Sequence, residues 1–528
     1  MTPGDSGTRL APTYAHARAR RYRRPGGPWD RGALDHGFAL GAVSVVDRHG
    51  RLDAAALGSL VDGLAGRLRA AGVRRGQAVC WQLPNGAAAL ALYRACWRLG
   101  AVAAPLHHRM GPSEVAAAVG QVTPALVIAG PDAPAAEVPG SRVLRGGGEA
   151  LLELFAPAEP VPASGCPARG SDLAVALFTS GSTGVPKAAL HTHRGLGYKA
   201  ALMACVHGLG PADAVLMPAP LAHVSGLLNG VLIPATVGIP TVLMHAWDPD
   251  EGLAAIEAER VSYMGAPPVF FSQMAASSSF RPERVASLRL VSTGGASVSP
   301  AFVDATAEAF GCRVKRTYGS TEAPTVTTSG PDDPVARARA TDGRCVGEAE
   351  LCVHDPDTGA RLGPGAVGEL WVRGPELFVG YTDPTATERV VARPGTWFRT
   401  GDLGSLDDEG WLVVTGRLSD IIIRAGENIS ASEVEAVLEA HPAVRHAVAV
   451  GVPDEAVGER VAAFVEATGP FDLVACRAWF AERGVTRFKT PEIVVRLDTL
   501  PVLAAGKPDR AALRAEAARR ASVGAGAG

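Results

Sequence analysis

The feature that most constrains the fold is an alternation, between Gln77 and Gly265, of short β-rich runs with longer Ala/Leu-rich stretches. "QAVCWQL" is followed by "GAAALALYRACWRLG", then by "AVAAPL", "PSEVAAAVGQV" and "ALVIAG". Runs of strand length that alternate with runs of helix length are typical of βαβ units, in which helices join and cover parallel strands. The sequence therefore predicts an α/β fold with layered, mostly parallel sheets in a large N-terminal domain.

The pattern of predicted elements changes after Val346. Shorter strands with turn signals, such as "GELWVRG" and "GWLVVTGRLSD", predict a β-rich, partly antiparallel subdomain. From Ile421 onward, helical and strand patterns predict a small α+β domain that ends in an Ala/Arg-rich helix. Because 528 residues exceed what one hydrophobic core usually supports, two or more domains are expected. The best boundary is "GRLSD", Gly416 to Asp420.

One uncharged segment, Gly226 to Met244, has nearly the length that a membrane span needs. Gly238 and Pro240 divide it into a piece of helix length and the β-like "TVLM". This pattern favours a buried helix followed by a buried strand over a membrane helix.

Composition and charge exclude several classes of protein. A net charge of −2 gives no general attraction to nucleic acid or to an anionic membrane. The eight cysteines are scattered and contain no CxxC pair, which disfavours a zinc site or a disulfide framework and favours a reducing cytoplasm. The basic stretch "ARARRYRR", Ala17 to Arg24, is interpreted as a solvated lead-in, with a transit peptide or an RNA-binding arm as alternatives.

The stretch "TSGSTGVPK", Thr179 to Lys187, follows the apolar run "LAVALF". Its glycines let backbone amides approach an anion, and its hydroxyls and lysine add further donors. The residue types indicate phosphate binding, but the spacing differs from that of a Walker loop.

Six further motifs follow this loop in a fixed order. They are "PLAHVSG", "STGGA", "YGSTE", "RTGDLG", "GRLSDIIIRAGENISASEVE" and "LPVLAAGKPDR". With the loop, they resemble the adenylate-forming superfamily, which includes acyl-CoA and aryl-CoA synthetases. Within this superfamily, the closest resemblance is to the medium-chain and alicyclic acid:CoA ligases. It is carried by the segments "LHTHRG", "APLAHVSG" and "YGSTEAPTVT".

The resemblance implies an ATP site. The loop would wrap the β- and γ-phosphates and the departing pyrophosphate, Tyr318 would lie against adenine, and Asp402 would accept the ribose hydroxyls with Arg417 nearby. Thr321 would contact the α-phosphate, and Glu322 would hold Mg²⁺, for which an oxygen ligand is suitable. The implied nucleotide-binding residues are Thr179, Ser180, Gly181, Ser182, Thr183, Gly184, Lys187, Gly294, Gly295, Ala296, Tyr318, Gly319, Ser320, Asp402, Arg417 and Gly426.

The resemblance also implies the catalytic residues, namely Lys507, Thr321, Glu322 and His223. Lys507 would bridge the carboxylate of the acid and the α-phosphate, where an ammonium stabilises the developing negative charge. Asp420 corresponds to the family's hinge. The implied domains are therefore 1–416 for adenylate formation, 417–420 as hinge and 421–528 as a mobile C-terminal domain that presents Lys507 or "RAGEN" in turn.

The resemblance predicts the substrates less closely. His223 would lie beside an acyl pocket formed by "GLLNG", Gly265 to Pro267 and "STGGA", whose residues favour an apolar acid of modest size. CoA is the expected acceptor and ATP with Mg²⁺ the expected cofactors. We predict a cytoplasmic enzyme without nucleic-acid or membrane partners. The sequence leaves the oligomeric state open, and a homodimer is one alternative.

Two alternatives stay open. In "RFKTPEIV", Thr490 and Glu492 stand where relatives that bind CoA often carry basic residues, which weakens the expectation of CoA. A carrier-protein thiol, an amine, or nitrite activated to diazotise an aryl amine would then take its place. A non-enzymatic nucleotide-binding protein or scaffold of the same fold is the other alternative, and intact Lys507, Glu322 and Asp402 argue against it.

Overall fold

The computed structural model describes most of the chain. The described residues are 9–12, 33–34, 43–130, 133, 142–145, 151, 153, 155–179, 186–296, 298–392, 397–425, 427–454, 457–502 and 508–525. The basic stretch from Ala17 to Arg24 lies outside them.

A six-stranded sheet forms the first layer of the N-terminal part. Four of its five strand pairs are parallel, and the last pair is antiparallel. In spatial order its strands are Arg142–Arg145, Leu126–Ala129, Ala78–Gln82, Val102–Leu106, Leu173–Thr179 and Lys187–Thr192. The strands and helices predicted from the alternating pattern between residues 77 and 129 are all present.

A nine-stranded sheet forms the second layer. Its central pairs are parallel and its edges are antiparallel. In spatial order its strands are Arg344–Cys345, Thr327–Thr328, Arg313–Tyr318, Leu290–Gly294, Tyr263–Ala266, Val215–Met217, Thr241–Leu243, Val45–Asp47 and Gly50–Leu52.

Helices cover both sheets, and the strands bury side chains on each face. Val79 and Trp81 face the largest apolar cluster, which includes side chains from both sheets, whereas the alternate residues Ala78 and Cys80 face a second cluster. The helices here are Ala54–Ala70, Ala87–Leu99, Pro112–Val122, His193–Val206, Val224–Gly226, the π-helix Leu227–Leu232, Ile233–Val237, Pro249–Glu259, Pro268–Ala276, Pro300–Phe310, Val335–Ala340 and Pro384–Val390, with 3₁₀ turns at Ala163–Gly165 and Pro282–Val285. The predicted layered, mostly parallel α/β architecture is confirmed.

The uncharged segment from Gly226 to Met244 is a buried helix followed by a buried strand, as predicted. Its π-helical and α-helical turns end at Gly238, which takes a left-handed conformation with φ of 83°. The strand Thr241–Leu243 then enters the nine-stranded sheet. Among the described helices, none is long and apolar enough to cross a membrane.

A third sheet of five strands follows in the chain and is the predicted β-rich portion. Its strands are Glu350–His354, Gly368–Arg373, Val391–Ala392, Trp397–Leu406 and Leu412–Arg417. The last two pair antiparallel, with Asp402 opposite Arg417.

The C-terminal part is the predicted small α+β structure. Its strands are Glu427–Ser430, Ile421–Arg424, Gly458–Ala467 and Val444–Asp454 in spatial order, and Ile493–Arg496 pairs with the third of these. Its helices are Ala431–Glu439, Leu473–Glu482 and Arg510–Ala525, with 3₁₀ turns at Leu418–Asp420 and Arg487–Lys489. The strand Glu427–Ser430 is not predicted from the sequence, because its polar residues carry a weak strand signal.

Backbone contacts divide the chain into two compact units. One comprises Met1–Leu351 and Val372–Arg399, and the other comprises Cys352–Trp371 and Thr400–Gly528. The division differs in position from the boundary at 416–420 that the sequence suggests.

Candidate active site

The first group of predicted site residues lies where two adjacent parallel strands end. Leu290–Gly294 and Arg313–Tyr318 pair in parallel, with Gly294 opposite Thr317. The loops that carry Ala296 and Glu322 therefore leave the same edge of the sheet, which is the usual ligand edge of an open α/β sheet.

The glycines in these two loops are required by close backbone approach. A β-carbon on Gly294 would lie 2.2 Å from the Thr317 carbonyl oxygen, and one on Gly319 would lie 2.4 Å from the Thr325 nitrogen. Gly295 has a φ of 76° and an open space where a side chain would be. Tyr318 is 9% exposed, and the Ser320 hydroxyl accepts from the Ala323 N–H at 3.2 Å, so Ser320 also stabilises its own turn.

The backbone of Thr321 and Glu322 is anchored by two other segments. The buried His191 ring donates from Nε2 to the Thr321 carbonyl oxygen at 2.8 Å, and the Phe378 N–H donates to the Glu322 carbonyl oxygen at 2.8 Å. The Tyr381 hydroxyl donates to Glu322 Oε1 at 2.6 Å. One carboxylate oxygen of Glu322 is thus oriented by a fixed donor.

Lys187 joins this group from the six-stranded sheet. It pairs with Thr179 across the two strands that flank the predicted phosphate loop, and its Nζ lies 5.6 Å from the centre of the Tyr381 ring. The segment after Phe378 runs alongside the same strand, since the Val379 N–H donates to the Leu190 carbonyl oxygen at 2.7 Å. Lys187, Glu322 and Tyr381 are therefore brought together. The predicted loop residues Ser180, Gly181, Ser182, Thr183 and Gly184 lie outside the described residues.

Burial shifts the pKa values of two groups beside Glu322. It lowers the pKa of His191 to about 4, against the raising effects of its bond to Thr321 and of the Glu322 charge, so this imidazole is neutral at physiological pH. Burial also raises the pKa of Tyr381, and the Glu322 charge raises it further. Tyr381 therefore stays a hydrogen-bond donor.

His223 follows the strand Val215–Met217 and contacts a second histidine. Its ring centre lies 5.3 Å from that of His107, which in turn stacks on His108 at 4.6 Å. His107 and His108 follow Val102–Leu106 of the six-stranded sheet. His223 is thus held where loops from both sheets meet.

The three segments predicted to form the acyl pocket are neighbours. The Tyr263 hydroxyl donates to Asn229 Oδ1 at 2.7 Å, and a β-carbon on Gly265 would lie 3.1 Å from Asn229 Cγ. Ala266 pairs with Thr293 of "STGGA". Asn229 lies in the π-helix, a distortion that is frequent at functional sites.

The predicted ribose-binding pair lies in the second unit. Arg417 Nε and Asp402 Oδ1 are 2.7 Å apart, and the side chain of Asp402 is only 6% exposed whereas that of Arg417 is 54% exposed. The two predicted residues are therefore brought together, with the carboxylate oriented by the guanidinium.

Two cations of the second unit are paired with carboxylates. Arg424 of "RAGEN" binds Glu492 through two bonds of 3.0 and 2.9 Å, and Lys489 Nζ lies 2.6 Å from Glu433 Oε1. Gly426 and Lys507, also predicted site residues, lie outside the described residues.

Tyr381 and His191 are two residues of the site that the sequence pattern does not predict. His191 lies within the quoted motif "LHTH" but received no role, and Tyr381 lies in "VGYTDP", which reads only as a turn. Their importance depends on contacts with Glu322 and Thr321, which are more than 50 residues away along the chain. Local pattern carries no signal for such contacts.

The donor set around Glu322 fits Mg²⁺. A carboxylate oxygen is a ligand that this ion prefers, and Mg²⁺ at nucleotide sites commonly takes one or two carboxylates plus phosphate oxygens. In the described part of the chain, no three His, Cys, Asp or Glu side chains cluster to hold a metal by themselves. Glu322 would hold the ion together with a substrate, and the ion would supply positive charge at the phosphates.

The family model described as AMP-binding enzyme matches residues 36–382, and the model of the AMP-binding enzyme C-terminal domain matches residues 433–507. The chain belongs to the AMP-binding enzyme family. The adenylate-forming resemblance is therefore confirmed, and this AMP-binding enzyme is an ATP-dependent, AMP-forming ligase of the acyl-CoA synthetase type.

Alignments with individual relatives extend over almost the whole length of this chain. It is 31% identical to the medium-chain fatty-acid–CoA ligase of Escherichia coli over 98% of this chain and 96% of the relative. Its fold is similar to ATP-bound MatB from Rhodopseudomonas palustris, with a TM-score of 0.84, 26% identity and coverage of 93% and 99% of the two chains. It is also similar to the amide bond synthetase McbA from Marinactinospora thermotolerans, with a TM-score of 0.78, 31% identity and coverage of 92% and 98%.

Proposed function

We propose that this enzyme joins an apolar carboxylic acid of modest size to the thiol of CoA through an acyl-adenylate. The observation that carries the proposal is the convergence of Lys187, Thr321, Glu322 and Tyr381 at the ligand edge of an α/β sheet. The similarity to a medium-chain fatty-acid–CoA ligase supports the class of acid.

In this mechanism the acid carboxylate attacks the α-phosphorus of ATP and pyrophosphate leaves. Such a displacement needs positioning and charge stabilisation more than covalent catalysis. Lys187 would bind the β- and γ-phosphates, Thr321 the α-phosphate, and Glu322, oriented by Tyr381, the Mg²⁺ ion. Lys507 would stabilise the charge that develops between the carboxylate and the α-phosphate.

The second half-reaction transfers the acyl group to the thiol. The thiol sulfur would attack the carbonyl carbon of the acyl-adenylate and AMP would leave. In our proposal residues 421–528 rotate about Asp420 between the two steps, so that Lys507 acts in the first and "RAGEN" lies near the thiol in the second.

A second candidate keeps adenylation but changes the acceptor to an amine or a carrier-protein thiol. The ion pairs Arg424–Glu492 and Lys489–Glu433 favour it, because cations already paired with carboxylates are less available to the phosphates of CoA. The similarity to an amide bond synthetase points the same way.

Pyrophosphate release, measured over a panel of acids with and without CoA, tests both candidates. Acid-dependent release with a thioester product supports the CoA ligase. Acid-dependent release that yields an amide or an acylated carrier protein, but no CoA thioester, supports the second candidate. Release with nitrite and an aryl amine, without a thioester, would contradict both. A cytoplasmic location and a homodimer stay predictions, to be checked by fractionation and light scattering.

A further inference from the structure

The C-terminal helix Arg510–Ala525 begins with an arginine, against the usual preference of a helix N-terminus for acidic side chains. Arg510 is nevertheless only 23% exposed, and its charge is matched by carboxylates from other elements. A residue that breaks a local rule and is compensated elsewhere is a candidate for a specific role.

The guanidinium of Arg510 contacts three separate elements of the second unit. Nη1 lies 2.7 Å from Glu435 Oε1 and donates to the Ala449 carbonyl oxygen at 2.8 Å, while Nη2 donates to Glu435 Oε2 at 3.0 Å. Nε lies 3.4 Å from Asp420 Oδ2. One side chain therefore links the helix Ala431–Glu439, the strand Val444–Asp454 and the turn that holds the proposed hinge residue.

Glu435 is the other half of this network. Its side chain is 10% exposed, and Oε1 also accepts from the Ala449 N–H at 2.8 Å. Burial raises the pKa of Glu435. The hydrogen bond and the charge of Arg510 lower this pKa, but the effect of burial is larger. The pair is bidentate, a geometry that lysine cannot reproduce.

Arg510 also follows Lys507 closely in the chain, and the described residues on either side of 503–507 are in contact. Val502 and Pro508 form an antiparallel bridge across residues 503–507, and the Asp509 N–H donates to the Pro501 carbonyl oxygen at 2.8 Å. Lys507 precedes Pro508 directly. Pro508 and Asp509 thus lead directly into the residue that Glu435 and Asp420 hold.

We infer that Arg510 is a positioning residue for adenylation: by binding Glu435 and Asp420 it fixes the backbone of Pro508 and Asp509, directly after Lys507, relative to the hinge residue. This inference rests on the proposed function, in which Lys507 acts at the α-phosphate. Arg510 itself touches no substrate. Loss of the bidentate guanidinium would let the backbone after Lys507 shift, and a misplacement of a catalytic group by about 1 Å can cost about 100-fold in rate.

The test compares the two half-reactions in the full-length enzyme. Adenylation is measured as acid-dependent pyrophosphate release, and thiol transfer as thioester formation from a chemically synthesised acyl-adenylate and CoA. In Arg510→Lys we expect the kcat of adenylation to fall about 10- to 100-fold with little change in the KM for the acid, while thioester formation stays within about 3-fold of wild type. Glu435→Gln keeps the shape of the partner of Arg510 but removes its charge. In this variant we expect a smaller fall in the kcat of adenylation, again with thioester formation nearly unchanged.

The matched control is Arg520→Lys on the same helix. Arg520 is 53% exposed and pairs with Glu516 one turn earlier, so this change should leave both half-reactions unaltered. Circular dichroism and the Tm of each variant show whether it is folded.

The outcomes are distinguishable. A folded Arg510→Lys with wild-type adenylation overturns the inference, and so does an equal loss of both half-reactions in Arg510→Lys and Glu435→Gln, which would indicate a purely structural role. Two further results would contradict the proposed function and with it the inference. In the first, the wild-type enzyme releases no pyrophosphate with any acid. In the second, the Lys507→Ala variant adenylates normally.

Discussion

At the scale of single residues, the site depends on how Glu322 is held. Its carboxylate receives the Tyr381 hydroxyl, and the carbonyl of the residue before it receives the neutral ring of His191. Both partners are buried and come from the segments around "LHTH" and "VGYTDP". Glu322 was predicted from its motif, but the groups that orient it were not.

Tyr381→Phe should impair metal-dependent adenylation. The variant removes a hydrogen bond to a charged group, worth about 1.5–3 kcal/mol, so we expect roughly a 10- to 100-fold loss in kcat/KM and a higher Mg²⁺ requirement. Pyrophosphate release measured across a Mg²⁺ series checks this. Tyr198→Phe, which loses a hydroxyl bond to the Glu348 N–H, is the control. A Mg²⁺ dependence identical to that of wild type would argue against an orienting role for Tyr381.

His191 makes stability depend on pH in a defined direction. Because burial lowers its folded pKa to about 4, below the usual 6.5, the unfolded chain binds this proton first as the solution is acidified. The contribution of His191 to the free energy of unfolding is fully present above pH 6.5. It is lost as the pH falls toward 4, and the total loss is about 3 kcal/mol. Urea unfolding of wild type and His191→Gln at pH 7, 5.5 and 4.5 measures it. Equal slopes of stability against pH in the two proteins would refute the assignment.

At the scale of elements, two parallel strands decide where the nucleotide loops start. The pairing of Leu290–Gly294 with Arg313–Tyr318 sets "STGGA" beside "YGSTE", and neighbouring backbone then fills the space at Gly294 and Gly319. The motifs were recognised separately in the sequence, and the register of one strand pair explains why they act together.

Gly294→Ala and Gly295→Ala separate two reasons for having glycine in this turn. At Gly294 the new methyl would meet the Thr317 carbonyl, so we expect about 1–3 kcal/mol of destabilisation and a higher KM for ATP. At Gly295 the methyl meets nothing within 4 Å, and only the positive φ is penalised, by about 1 kcal/mol. Thermal unfolding and ATP titration of pyrophosphate release compare them. A Gly295→Ala variant that is more damaged than Gly294→Ala would contradict this reading.

At the scale of the whole molecule, the predicted site residues are divided between two compact units of the chain. Lys187, Thr321 and Glu322 belong to one compact unit, whereas Asp402, Arg417, Asp420 and Lys507 belong to the other. In our proposal the C-terminal part is mobile and presents Lys507 for adenylation and "RAGEN" for thiol transfer.

Lys507→Ala should therefore abolish adenylation but spare thioester formation from a preformed acyl-adenylate. In the proposed mechanism Lys507 would supply charge only while pyrophosphate is leaving, and losing a preorganised charge of this kind typically costs about 100- to 1,000-fold in kcat. Separate assays of the two half-reactions measure the split. Arg520→Lys, which changes an exposed, ion-paired arginine of the same unit, is the control. Loss of both half-reactions in Lys507→Ala alone would contradict the domain-alternation proposal.

The sequence by itself determined the α/β class, the β-rich middle, the small α+β C-terminal part and the adenylate-forming chemistry. The fold follows from periodicity, and the chemistry is what the resemblance of seven short motifs to a known family implies; both signals are local in the chain. The tertiary structure alone decided that Tyr381 and His191 orient the loop of Thr321 and Glu322, that Glu492 neutralises Arg424, and that Arg510 joins Glu435 to Asp420. Each of these is a contact between segments distant in sequence, created when buried charges and hydrogen-bonding groups must find partners during packing, and no local pattern encodes which partner is found.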